Sequence, residues 1–171
     1  MKRSIITLII GSFLLSFTPI DKINAKSDAS LFKIERSKDE NQIIYDLNKN
    51  NKNELRKENP ISIYWIRKTE GGKVKPLTWI QQTYAYGLKY TKVSEDEAIF
   101  HFVSYNKRKF ILKKDDDEFK VFTTFNDKNY VVNRIFIQID GGSFWFPKIS
   151  QVKVETTDPN SNKNLTSIIH P

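Results

Sequence analysis

His101 lies between Phe100 and Phe102, with Ser104 three residues on, and a serine–histidine nucleophile pair is the first chemistry this spacing suggests. Such a pair needs its two side chains to meet, whereas residues three apart on a strand point to opposite faces. The other histidine, His170, stands beside the chain end. His101 therefore reads as a half-buried structural histidine. With two histidines and no cysteine in 171 residues, thiolate chemistry and disulfides are excluded, and histidine-built zinc or catalytic sites are out of reach. A hydrolase built on this chain would have to use carboxylates.

The carboxylates cluster at Asp115-Asp116-Asp117-Glu118, which lacks the spaced ligands and central glycine of a calcium loop and reads as a solvated hairpin tip. Asp140 stands before Gly141-Gly142, where a catalytic carboxylate at a strand end is conceivable. The simpler reading is that the glycines let the chain turn so that Trp145 folds onto the sheet. Phe100-His101-Phe102-Val103-Ser104-Tyr105, followed by Lys107-Arg108-Lys109, has the look of an aromatic RNA-stacking strand. The basic–glycine opening of that motif is missing and the order of elements is wrong for its fold, so no nucleic-acid partner is expected.

Arginine among aromatics is the most suggestive grouping. Arg67 shares a strand face with Trp65, Arg134 is expected to share one with Tyr130 and Phe136, and a short helix adds Trp79, Tyr84 and Tyr86. An arginine on an apolar strand must find a carboxylate, carbonyls or an anionic ligand, because burying it bare is costly. The set could line a pocket for a small anionic or sugar-like ligand. The competing and weightier reading pairs both arginines with acids such as Asp46 or Glu155 and leaves the aromatics in the core. No cofactor or metal is called for.

The elements that must position these residues are mostly strands. Period-2 runs at 31–36, 42–47, 61–68, 89–93, 97–105, 109–113, 119–125, 130–139, 151–156 and 165–169 are separated by turn clusters. The stretch 48–60 is polar and reads as a surface loop. One short helix is expected over 78–86, opened by the capping box Thr78-x-x-Gln81, with Leu77, Ile80 and Tyr84 on one stripe and Gly87 at a stop that wants positive φ. The fold class is all-β: a curved antiparallel sheet, or a small barrel or sandwich, of about ten short strands with one short helix. Because 97–105 and 130–139 are apolar on both faces, the helix and the loop 142–149 are expected to cover part of the sheet's outside.

Met1-Lys2-Arg3, an oily uncharged stretch to Ile20 and a polar stretch ending at Ala25 have the layout of a secretory signal peptide. Residues 1–25 are expected to be removed, leaving a single β-rich domain over 26–171 that is exported, periplasmic or extracellular, and without a transmembrane segment. That domain carries 25 basic and 19 acidic residues, with no block of like charges to mark a nucleic-acid or lipid-binding tail.

Tyr64-Trp65-Ile66-Arg67, Ala85-Tyr86-Gly87, Phe102-Val103-Ser104-Tyr105, Gly141-Gly142-Ser143-Phe144-Trp145-Phe146-Pro147 and Thr157-Asp158-Pro159 follow one another in order. Together they resemble a family of secreted bacterial proteins, found mostly in Bacteroidota and catalogued as domain of unknown function 4833. The resemblance runs from about Phe32 to the C-terminus. It implies export and a single domain, and it brings no catalytic residues. The function expected is a non-enzymatic binding or interaction module of the bacterial envelope. A carboxylate-using hydrolase of envelope polymers and a structural protein binding an envelope partner are the alternatives.

Overall fold

The computed structural model describes residues 30–52, 54–143 and 146–171. The expected leader at 1–25 and the expected packing of Trp145 fall outside them. Among the described residues the protein forms eleven strands in one sheet. β1 (Phe32–Arg36), β2 (Asp39–Leu47), β3 (Ile61–Arg67) and β4 (Lys73–Pro76) make one meander. A second comprises β5 (Leu88–Val93), β6 (Glu97–Phe102), β7 (Tyr105–Asp115) and β8 (Glu118–Phe125). β9 (Lys128–Gly142), β10 (Pro147–Thr157) and β11 (Asn164–Ile169) complete the sheet.

β9 organises the whole. Along one edge it pairs with β10 over most of its length; along the other it takes β8 at 128–131 and then β1, in parallel, at 134–137. Two meanders thus leave the same edge of one long strand. Right-handed strand twist curls them toward each other into a half-barrel. Their inner faces meet in aromatic contacts. Phe32 stacks on Tyr45 at 4.4 Å, and Phe102 from the opposite wing sets its edge on both, at 6.2 and 5.7 Å. All three are buried, and burying a ring of this size stabilises a fold by roughly 1.5–3 kcal/mol.

Period-2 patterning explains most of this. Ala98, Phe100 and Phe102 on β6 and Phe32 and Ile34 on β1 turn inward and are buried. Four features depart from expectation. β4 is an additional strand, paired to β3 and short enough to be hidden by its lysines. The β1–β9 pairing is parallel. The polar loop 48–60 is no simple surface loop, since Leu55 is buried in the core and its N–H bonds the Glu95 carbonyl at 3.3 Å. The fourth is a bulge: Glu155 pairs with Arg134 but Thr156 pairs with Val132, so Asn133 is skipped and β9 changes face. Val132 and Ile135 consequently both point to the core.

The helical segment closes the gap between the free edges of the wings, running from β4 to β5. It is α-helical over Trp79–Gln81 (α1) and continues as a π-helical turn over Gln82–Tyr86. The capping box forms as expected: Gln81 N–H donates to Thr78 Oγ1, and Thr78 N–H donates to Gln81 Oε1. Two expectations about this segment are corrected. It lies on the inner, not the outer, side, because Tyr86 sets its edge on Trp65 at 5.6 Å and its carbonyl accepts from Tyr45 Oη at 2.7 Å. Gly87 has an ordinary extended φ of −66°. A Cβ there would stand 1.9 Å from the Gln82 carbonyl oxygen, so close approach demands the glycine. Of the loop 142–149, expected to cover the outside, Phe146 is 82% exposed and Pro147 and Ile149 border the cleft, while 144–145 fall outside the described residues.

Candidate ligand-binding cleft

Between the curled wings lies a cleft of about 630 Å³, within the range of small-molecule sites. Its floor is the inner face of β9, β10 and β11, where Ile135, Ile137, Ile139, Val152, Val154 and Ile169 follow from strand alternation after the bulge. Ile34, Phe102 and Phe110 form its walls. Ile80, Tyr84 and Tyr86 of the helical segment border it.

Against this apolar lining stand Arg36, Lys38, Arg67 and Arg108, with Asp39 the one acidic side chain among the described lining residues. Arg36 follows Phe32 and Ile34 on the inward face of β1. Its Nη1 donates to Tyr86 Oη at 3.1 Å and its Nη2 pairs with Asp39, while its Nε is buried with no hydrogen-bond partner. The guanidinium lies 4.8 Å from the centre of the Trp65 ring. Arg67, whose Nε donates to Glu70 at 3.0 Å, lies 5.6 Å from the same ring. Trp65 itself is buried and donates its indole N–H to Gln81 Oε1 at 3.2 Å, so the capping glutamine also fixes the ring between two cations. Arg108 donates to the Thr124 carbonyl at 2.9 Å, rests on Phe125 at 4.2 Å and likewise has an unpartnered buried Nε.

Two guanidiniums on one ring are a concentration of positive charge in partly desolvated surroundings. Glu70 offsets part of it; hydrogen bonds from Lys75 and then Arg67 hold its carboxyl below the usual carboxylate range. Burial pushes the Tyr86 hydroxyl up even against the pull of Arg36, so it stays neutral. An unmade bond on a buried donor costs about 1–3 kcal/mol, a cost that an acceptor oxygen would offset.

Of the residues the sequence suggested, Trp65, Arg67 and Tyr86 come together, and Tyr84 lies at the mouth. Trp79 is beside it, their rings 6.3 Å apart and both residues 68% exposed. Arg134 is elsewhere. The bulge at Asn133 turns it to the outer face, away from Tyr130 and onto Phe136 at 5.0 Å, where Glu35 and Glu155 pair with it. Arg36 is not among the residues the sequence suggested, and Arg108 entered only within the basic run Lys107-Arg108-Lys109. The available signal for Arg36 was a charge continuing an inward-facing apolar stripe.

The remaining candidates take structural positions. Ser104 Oγ donates to the Ala85 carbonyl at 2.7 Å, not to His101. Asp115 and Glu118 flank a hairpin turn in which Asp116 has φ of +54°. Asp140 is exposed and accepts from Gln138, and hydrogen bonds from Ser150 and Gln138 keep its carboxyl below the usual range. Gly141 and Gly142 have φ of +135° and +80°, the turn that glycine permits. Among the described residues no group of histidine, aspartate and glutamate is placed to hold a metal ion, and no helix is long and apolar enough to cross a membrane.

Compared with known proteins, residues 32–167 match the family model described as domain of unknown function (DUF4833), and the chain belongs to that family. Neither a curated protein nor a solved structure gives a match.

Proposed function

We propose that this member of the family of domain of unknown function 4833 is a binding module for a small amphiphile, its apolar body in the cleft and its anionic head at Arg36 and Arg67. The observation that carries this reading is Arg36 itself, a cation lining an otherwise apolar cleft with one carboxylate to balance it and an Nε left without a partner. A ligand without an acceptor oxygen would leave that donor unmatched, an uncharged one would leave the surplus of cations unbalanced, and an anion without an apolar body would leave the floor wet. The module acts outside the cytoplasm after removal of residues 1–25, an assignment supported by the leader-like N-terminus. A hydrolase with paired side-chain carboxylates has less support, because Asp39 is the sole acidic side chain of the described lining and Arg36 already engages it.

Calorimetric titration of the protein purified after export tests this, its intact mass first reading whether residues 1–25 are gone. Dodecanoate is expected to bind with a negative heat-capacity change. Dodecyltrimethylammonium, with the same tail and the opposite charge, is expected to bind about ten-fold more weakly or worse. Equal binding of the two would remove the arginines from the reading, and no binding of either would overturn it.

A further inference from the structure

The helical segment that borders the cleft also presents its two exposed aromatics outward. Residues 77–87 carry no charge, and Trp79 and Tyr84 stand on them as a pair, fixed by the capping box below and by the close approach of Gly87 to Gln82 above. Tyr84 faces solvent because the π-helical turn shifts the helical phase and gives the inward position to Tyr86. Tryptophan and tyrosine, with an apolar body and a polar tip, are the side chains that settle at a lipid–water boundary.

Positive charge lies on the same face of the neighbouring hairpin. Lys73 and Lys75 on β4 lie opposite Arg67 and Trp65 on β3, and cross-strand partners share a face. Since Trp65 bonds Gln81, that face is the one on which the helical segment sits. Lys68 stands exposed in the connecting turn. Over 67–75 four cations face one carboxylate, Glu70, and that one is shared by Arg67 and Lys75. Aromatic anchors on the same face as a hairpin with more cations than acids match an anionic lipid surface in both hydrophobicity and charge.

We infer that the Trp79–Tyr84 face docks on an anionic phospholipid bilayer, setting the cleft mouth against the surface from which an amphiphile is drawn or to which it is returned. This rests on the reading of the cleft as an amphiphile site, because Tyr84 and Ile80 belong both to the docking face and to the cleft border.

The test is co-sedimentation with vesicles of phosphatidylglycerol mixed into phosphatidylcholine, against vesicles of phosphatidylcholine alone. The protein is expected to partition onto the anionic vesicles and to be released as salt rises. A doubly substituted protein, Lys68→Gln with Lys73→Gln, which adds no carboxylate beside Arg67, is expected to lose about ten-fold or more in partitioning while its dodecanoate affinity, measured without vesicles, is unchanged. Trp79→Ser is expected to lower partitioning with an unchanged urea midpoint. Equal partitioning onto both vesicle types, none onto either, or self-association that Trp79→Ser abolishes would each overturn the docking. Failure of dodecanoate binding in the vesicle-free titration would instead be a failure of the cleft reading.

Discussion

Arg134 and Arg36 occupy paired strands, β9 and β1, and come to opposite ends. On the outer face Arg134 divides its guanidinium between Glu35 and Glu155; Lys33 and Gln42 add further bonds to Glu35. Burial pushes the Glu35 carboxyl up, but the hydrogen bonds from Lys33, Gln42 and Arg134 outweigh it and leave it below the usual range. On the inner face Arg36 has one carboxylate, one phenol and an idle Nε beside a second guanidinium. An arginine among aromatics is therefore not a site by composition. It becomes one where the fold supplies an apolar space and withholds the last acceptor.

The contrast can be broken most severely at the wall that separates the cleft from solvent. Gly87→Ala puts a Cβ into the Gln82 carbonyl, and urea unfolding should show a loss of about 3 kcal/mol or more. An unchanged midpoint would mean that the helical turn relaxes freely and does not hold Tyr86 and Trp65 in place.

Next in size is the exchange of the two arginines. Arg36→Met should weaken dodecanoate binding about 10-fold to 100-fold, the worth of a charged hydrogen bond. Arg134→Met should leave that affinity unchanged and cost about 1 kcal/mol of stability, a modest loss because its network is partly open to water. Similar losses of affinity in both would erase the distinction between the two faces.

The smallest effect sharpens the outer face alone. A carboxyl whose pKa is lowered in the folded state stabilises it above the unfolded value and loses that contribution as pH falls through the folded one. The urea midpoint should thus be level above the usual carboxylate range and decline below it, and Glu35→Gln should flatten part of the decline. A decline of the same steepness in the variant would remove Glu35 from the acid response.

Much of the architecture was legible because alternation is a local signal. The runs that became β1, β2, β3 and β5 to β11 show it, and Thr78-x-x-Gln81 announced the start of the helix. What escaped was set by partners distant in sequence. Nothing near Asn133 marks the bulge that sends Arg134 outward, since the extra residue is defined by its register against β10. Leu55, alone in a polar loop, is buried because β2, β3 and the turn before β6 converge on it. Gly87 was recognised as necessary for the wrong reason: helix-stop statistics favour positive φ, whereas here the demand is steric. Trp65 and Arg67 could be read as neighbours from one strand, but Arg36 joins them from β1 across β2.

The parallel pairing of β1 with β9 sets an order of events for the growing chain. Ser37 reaches its acceptor on Ile139, 102 residues away, and no local turn can shorten that search. A chain made or threaded from its N-terminus completes both meanders before the strand that joins them exists. Until then β1 is an open template, with apolar Phe32 and Ile34 exposed beside an unfilled edge. The first strand described thus waits for the ninth before its second edge is shielded. Slow delivery of the final third of the chain should favour clumping of nascent molecules over folding.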